Sequence, residues 1–219
     1  MRPLSLLEAR VLGVLVEKSH TVPDSYPLSL NALTLGCNQK TAREPVIAAS
    51  EGEAQVAVDA LKTLSLAFES SGSRVARYEH NLGRALGVPS QSVALLATLM
   101  LRGPQTAAEL RTAAERLHKF ADASAVEGFL DELAARAAEK GGALVLKLPR
   151  APGAREQRWG HLLCGPIDVR ALPVAADDES IVPASELAGL KARLSATEAE
   201  VARLATLVER LCRELDIRP

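Results

Sequence analysis

Residues Ser50 to Leu82, SEGEAQVAVDALKTLSLAFESSGSRVARYEHNL, carry a helix signal, a turn signal and a strand signal in succession. Ser50-Glu51-Gly52-Glu53 is a capping box, in which the serine and the glutamate three residues on reciprocally satisfy orphan backbone donors at a helix start. Ala57, Val58, Leu61 and Leu64 then recur at helical spacing on one face. Leu66 to Ser70 and Arg74 to Glu79 read as strands closed by a tight turn at Ser71-Gly72. A capped amphipathic helix followed by a two-stranded wing is the closing half of a winged-helix unit, with the helix in the recognition position.

The plan occurs twice. Ser124-Ala125-Val126-Glu127 is another capping box, Val126, Phe129, Leu130 and Leu133 form the apolar stripe, and Gly141-Gly142 is read as the helix end. The strand Leu144 to Leu148, the wing Pro149 to Gln157 and a closing strand Arg158-Trp159-Gly160-His161 follow. Upstream of the first wing, Ser5-Leu6-Leu7-Glu8 opens a helix with Leu7, Val11, Val14 and Leu15 inward. Ser19 to Pro27 reads as a loop, and a short helix runs from Ser29 to a stop at Gly36. Cys37 to Ala49 is irregular, because Pro45 disfavours helix at Glu44. Upstream of the second wing, Val93 to Leu101 is apolar all round and therefore a buried helix, ended by Gly103-Pro104. Thr106-Ala107-Ala108-Glu109 opens the next, with Leu110, Ala113, Ala114 and Leu117 inward.

Gly165 to Pro183 has three prolines and the acidic cluster Asp177-Asp178-Glu179, the composition of a linker. Beyond it Leu187, Leu190, Leu194, Thr197, Val201, Leu204, Val208, Leu211 and Leu215 alternate spacings of three and four, the a/d seam of a coiled coil. The fold class expected is mainly α with small β-hairpin wings (α+β). Winged-helix (helix-turn-helix) domains span 1–87 and 88–165, a linker 166–183 and a coiled-coil helix 184–216. The seam implies a homodimer.

Composition limits the functions open to the chain. It has 219 residues, 47% apolar and 24% charged, with a net charge of −1, so nothing global pulls it towards nucleic acid or a membrane surface. No apolar run approaches the roughly 20 residues of a membrane span, and the N-terminal stretch meets Glu8 before any signal-like apolar run develops, so a cytoplasmic location is expected. Cys37, Cys164 and Cys212 are odd in number and far apart, consistent with reduced thiols and neither a disulfide framework nor a zinc site. No nucleophile elbow, phosphate loop or metal-protease motif occurs, so no enzyme, metal or organic cofactor is expected.

Two segments carry residue types suited to a phosphate backbone. Asn38, Gln39, Lys40, Thr41 and Arg43 lie just before the first recognition helix, although the same types serve equally in a structured loop. The second wing holds Lys147, Arg150, Arg155 and Arg158 against Glu156. Tyr78 with His80, and Trp159 with His161, each share a strand face, which points to an aromatic packed under its helix and an imidazole at the edge. Charge argues against both recognition helices: Glu51, Glu53 and Asp59 oppose Lys62 in one, and Glu127, Asp131 and Glu132 dominate the other.

Leu7-Glu8-Ala9-Arg10-Val11, Tyr26-Pro27-Leu28-Ser29, Cys37-Asn38-Gln39-Lys40-Thr41-Ala42-Arg43-Glu44-Pro45-Val46, Leu101 to Thr106 and Arg158 to Leu162 together resemble the YceH-like family of uncharacterised bacterial proteins. The resemblance covers essentially the whole chain. It implies tandem winged helices and a DNA-binding or regulatory role, and it carries no catalytic residue. Two functions follow as expectations: a DNA-binding regulator held to double-stranded DNA by the basic segments, or an adaptor whose winged helices dock a protein partner while the tail dimerises.

Overall fold

The chain becomes helical where the first capping box places it. In the computed structural model, which describes residues 1–70, 75–150 and 153–167, Ser5 Oγ accepts from the Glu8 N–H at 3.1 Å and Glu8 Oε2 accepts from the Ser5 N–H at 2.8 Å. Helix α1, Leu6–Thr21, follows. It outruns the expected loop start at Ser19, because the Ser19 and Thr21 hydroxyls donate back to the Val16 and Glu17 carbonyls and fit the last turn. A single 3-10 turn, Pro23–Ser25, leads to β1, Leu28–Ser29, and to α2, Leu30–Cys37, capped by Ser29.

Gly36 does not end α2. The helix passes through it, and a Cβ there would lie 2.6 Å from Val14 Cγ1, so the glycine is present to let α2 approach α1. Helix α3, Glu51–Thr63, starts at the Ser50 capping box as expected. Strands β2, Ala67–Ser70, and β3, Arg77–His80, are antiparallel, from Ala67 opposite His80 to Ser70 opposite Arg77. The described ladder runs out to Ser70 opposite Arg77, and the expected turn at Ser71-Gly72 lies outside the described residues. Strand β1 adds on the other side of β3, with Leu28 opposite Tyr78.

Helix α4, Leu82–Leu86, ends on Gly87 at φ 62°, a left-handed conformation that glycine adopts freely. Helix α5, Ser90–Arg102, is buried continuously from Ser92 to Leu101. Helix α6, Ala107–Ala113, starts at the Thr106 capping box. Helix α7, Ala123–Ala134, is capped by Asp122, whose carboxylate accepts from Ala125 N–H at 2.8 Å, and Ser124 lies inside the first turn. It stops at Ala134, before the expected Gly141-Gly142. A 3-10 turn, Ala138–Lys140, intervenes, and the two glycines, at φ 94° and 77°, then reverse the chain. Strands β4, Val145–Lys147, and β5, Trp159–His161, form the second wing. Gln105 bridges to Trp159 as β1 does to β3, so each wing gains a short segment from the chain before its helices.

The architecture is α+β in a winged-helix-like layout, and one core serves both halves. Helix α1 packs on α5, and Leu12, Leu15, Leu95, Leu96 and Leu99 are all fully buried in a cluster reaching from Leu4 to Leu163. Burying each such side chain contributes about 1.5–3 kcal/mol. Leu4 N–H donates to Leu163 O at 2.8 Å and Glu44 N–H to Leu101 O at 2.8 Å, tying the halves by backbone as well. The described residues up to 167 fall within one compact unit. The expected linker beyond residue 167 and the coiled-coil seam lie outside the described residues.

Candidate functional site

The loop between α2 and α3 is held from beneath by two arginines. Arg10, on α1 and fully buried, donates to Cys37 O at 3.2 Å and Pro45 O at 2.7 Å. Burial, and next the charge of Arg43, lowers its pKa. Arg43 donates from Nε to Gly36 O, from Nη1 to Ala42 O and Glu17 Oε1, and from Nη2 to Glu17 Oε2 at 2.6 Å and Gln39 Oε1 at 2.7 Å. Its side chain is 0% exposed. Burial alone would raise the Glu17 carboxyl, but the hydrogen bonds and charge of Arg43, with Lys18, outweigh it and hold the pKa below the ordinary value.

The same loop absorbs most of the residues expected to face phosphates. Asn38 donates to Ala49 O and accepts from Ala49 N–H, both at 2.8 Å, closing the loop as a backbone pair would. Gln39 is turned to Arg43. Lys40 and Thr41 are the exposed members of the group. Arg43, placed by the sequence against a phosphate, is instead a buried strut, because its neighbour in space is a carboxylate from α1, 26 residues away in sequence.

Helix α3 turns acidic and apolar groups outward. Glu51, Glu53 and Asp59 are exposed, Lys62 is paired with Glu69 at 2.7 Å, and Val56 is 70% exposed. Gly52, Glu53 and Val56 form one wall of a shallow groove whose other wall is Ser5 and Leu7 at the start of α1. Leu6 stands exposed beside that wall in sequence, and Leu35 is 64% exposed one turn along α2 from Asn31, which donates to Glu51 at 2.8 Å. These apolar positions have no signal in a helical stripe, which records only the face turned inward.

Beneath the first wing Tyr78 is buried and donates to Gln55 Oε1 of α3 at 3.0 Å. Ser19 already donates its hydroxyl proton to Val16 O, so its 3.3 Å contact with His80 Nε2 makes His80 the donor. Burial, with the charge of His20, pulls the His80 pKa down to about 4, and burial does the same to His161. Trp159 is 1% exposed and Lys147 sits over its ring at 5.1 Å.

The second wing divides its cations. Lys147 lies 3.6 Å from Glu127, and Arg158 donates to Pro104 O at 2.9 Å and Glu109 Oε1 at 3.0 Å. Arg150 and Arg155 are exposed and make no ion pair among the described residues. The structure therefore does not bring the two basic segments' full complement to the surface: Lys40, Arg150 and Arg155 are its freest members. Among the described residues no three His, Cys, Asp or Glu stand together as a metal-binding group, and no helix is long and apolar enough to cross a membrane.

Comparison with known proteins identifies the family. Residues 4–154 match the family described as "Protein of unknown function, DUF480". The UPF0502 protein of Burkholderia pseudomallei (strain 668) is 61% identical over 217 residues, covering 99% of this chain and 91% of the relative. The UPF0502 protein of Leptothrix cholodnii is 60% identical over 226 residues, covering 99% and 97%. The expectation of an uncharacterised bacterial family is met, and the chain belongs to the DUF480, or UPF0502, family of bacterial proteins.

Proposed function

We propose that this protein is a non-enzymatic interaction module that docks a protein partner on the outer face of α3. The observation that carries this is the composition of that face: Glu53 and Asp59, three residues to either side along the helix, flank an exposed Val56, with Glu51 at the helix start also exposed. Carboxylates in that position repel phosphates, the main source of nucleic-acid affinity. They favour a basic partner segment with an apolar anchor for the groove beside Val56, a helix-in-groove or peptide-in-groove arrangement. The heptad seam from Leu187 to Leu215 serves, in this reading, to pair two copies and so present two docking faces.

A second reading, DNA held by the wing, is favoured by the exposed Arg150 and Arg155, which make no ion pair among the described residues, with Lys40. With about 0.9 in salt slope for each phosphate neutralised, three cations give a slope of roughly −3 and weak binding per chain. A photo-crosslinking residue placed at position 56 or at position 155 in the host separates the readings. Protein adducts at 56 in defined stoichiometry, abolished by Glu53→Lys, support docking on α3. Nucleic-acid adducts at 155 with none of any kind at 56 overturn it.

A further inference from the structure

Where the end of α3, α4, the turn after α7 and the exit from β5 meet, there is a cavity of about 380 Å³. That is within the roughly 300–1,000 Å³ of small-molecule sites. Leu64, Leu86, Leu144 and Leu163 supply its apolar lining, and Leu144 and Leu163 belong to the buried core. Among the described residues no carboxylate lines it. Its charged side chains among the described residues are Arg2, Arg136 and Lys140, and Met1 adds its α-ammonium.

These cations differ in what they still lack. Arg2 is neutralised by Glu8, to which it donates at 2.7 and 2.8 Å. Arg136 has no carboxylate partner among the described residues. Its Nε donates to Gly142 O at 3.3 Å, and its Nη2 to Leu86 O at 2.8 Å and to Lys140 O. Those carbonyls orient the guanidinium without compensating its charge, and Nη1 has no acceptor among the described residues. Lys140 is exposed and makes no ion pair among them. A half-buried guanidinium with two N–H groups to spare, next to a second cation and above an aliphatic lining, has the complement of an amphipathic carboxylate. The head would accept from Arg136 Nη1 and pair with Lys140, and the tail would lie on the leucines.

We propose that this cavity binds a small aliphatic monocarboxylate, with Arg136 and Lys140 holding the head group. Because Arg136 reaches from the segment after α7 to Leu86 of α4, such a ligand bridges the two halves of the unit. The site is independent of the α3 face, and either reading stands or falls without the other.

The test is calorimetric titration of the full chain with octanoate, with octanol as the neutral counterpart of the same tail and acetate as the head without it. Octanoate is expected to bind one site per chain, about tenfold or more tightly than octanol, since a charge-assisted hydrogen bond is roughly twice as strong as a neutral one. Acetate should not bind measurably. Lys140→Gln, at an exposed position, should weaken octanoate and leave octanol unchanged. Ala143→Trp, which puts a ring into the cavity from its exposed rim, should abolish both while the thermal midpoint stays put. Octanoate no tighter than octanol, or undiminished binding by Ala143→Trp, overturns the proposal. An anionic bilayer carries related chemistry, so phosphatidylglycerol vesicles form the last arm: binding to vesicles without binding of free octanoate also overturns it.

Discussion

Replacing Glu17 by glutamine should destabilise the protein far more than its partly exposed position implies. The substitution is nearly isosteric, and it leaves the Arg43 guanidinium in place, 0% exposed and without its carboxylate. Removing one partner of a buried pair costs about 3–5 kcal/mol. Here the lower end applies, because Arg43 keeps acceptors at Gly36 O, Ala42 O and Gln39 Oε1. With a urea m-value of about 2–3 kcal/mol/M, a loss of about 3 kcal/mol lowers the unfolding midpoint by about 1–1.5 M. The control is Glu69→Gln, which breaks the 2.7 Å pair with Lys62 on the surface and should cost about 0.2–1 kcal/mol. The Glu17 pKa lies below its ordinary value, so the stability it contributes is present above the unfolded carboxyl pKa and lost as pH falls through the folded one. The gap between wild type and Glu17→Gln should accordingly be constant above about pH 5 and close below about pH 4. A Glu17→Gln midpoint no lower than that of Glu69→Gln refutes the reasoning.

Three further outcomes are expected. Gly36→Ala forces a methyl to within 2.6 Å of Val14 Cγ1 and should cost about 1–3 kcal/mol, whereas Gly52→Ala, on exposed α3 with nothing within 4 Å, should add about 0.5–1 kcal/mol, both read from urea midpoints. His161 is held neutral, its pKa about 4, so its contribution is present above the unfolded value near 6.5 and lost as pH falls towards 4; His161→Phe should flatten the decline in stability between those pH values, measured by thermal melts in matched buffers. Burial pushes the Cys37 thiol up to about 12, so in a Cys212→Ser background native protein should consume one equivalent of a thiol reagent, at the exposed Cys164, and a second only on unfolding.

How much was legible in the sequence depended on whether the deciding interaction was local. Ser5, Ser50 and Thr106 set helix starts through partners three residues away, and all three capping boxes form. The all-apolar stretch Val93 to Leu101 is buried as a period-free run demands. Ser124 failed as a cap because Asp122, two residues earlier, offers a charged acceptor to the same helix end. Gly36 lies within α2 and not at its end, and a glycine after a helix and a glycine facing another helix look identical in sequence until Val14 is known to lie against it. Arg43 is the plainest case: its type suits a phosphate, but Glu17, which claims it, is remote in sequence and brought near only by folding. The cavity at Arg136 had no sequence signal, being assembled from the ends of separate elements.

The shared core also has a temporal side. Helix α1 is buried on nearly every face from Glu8 to Val16, and α5, its main cover, is made after α2, α3 and β3, which also pack on it. Roughly 80 residues separate them, which at about 5–20 residues per second is about 4–16 s of synthesis. During that interval Val11, Leu12, Val14 and Leu15 have only first-half partners to bury them, and the side meant for α5 faces solvent. A nascent chain of this protein thus offers chaperones an apolar helix early and withdraws it late, and ribosome-bound chains stalled before and after Arg102 should differ sharply in protease resistance at α1.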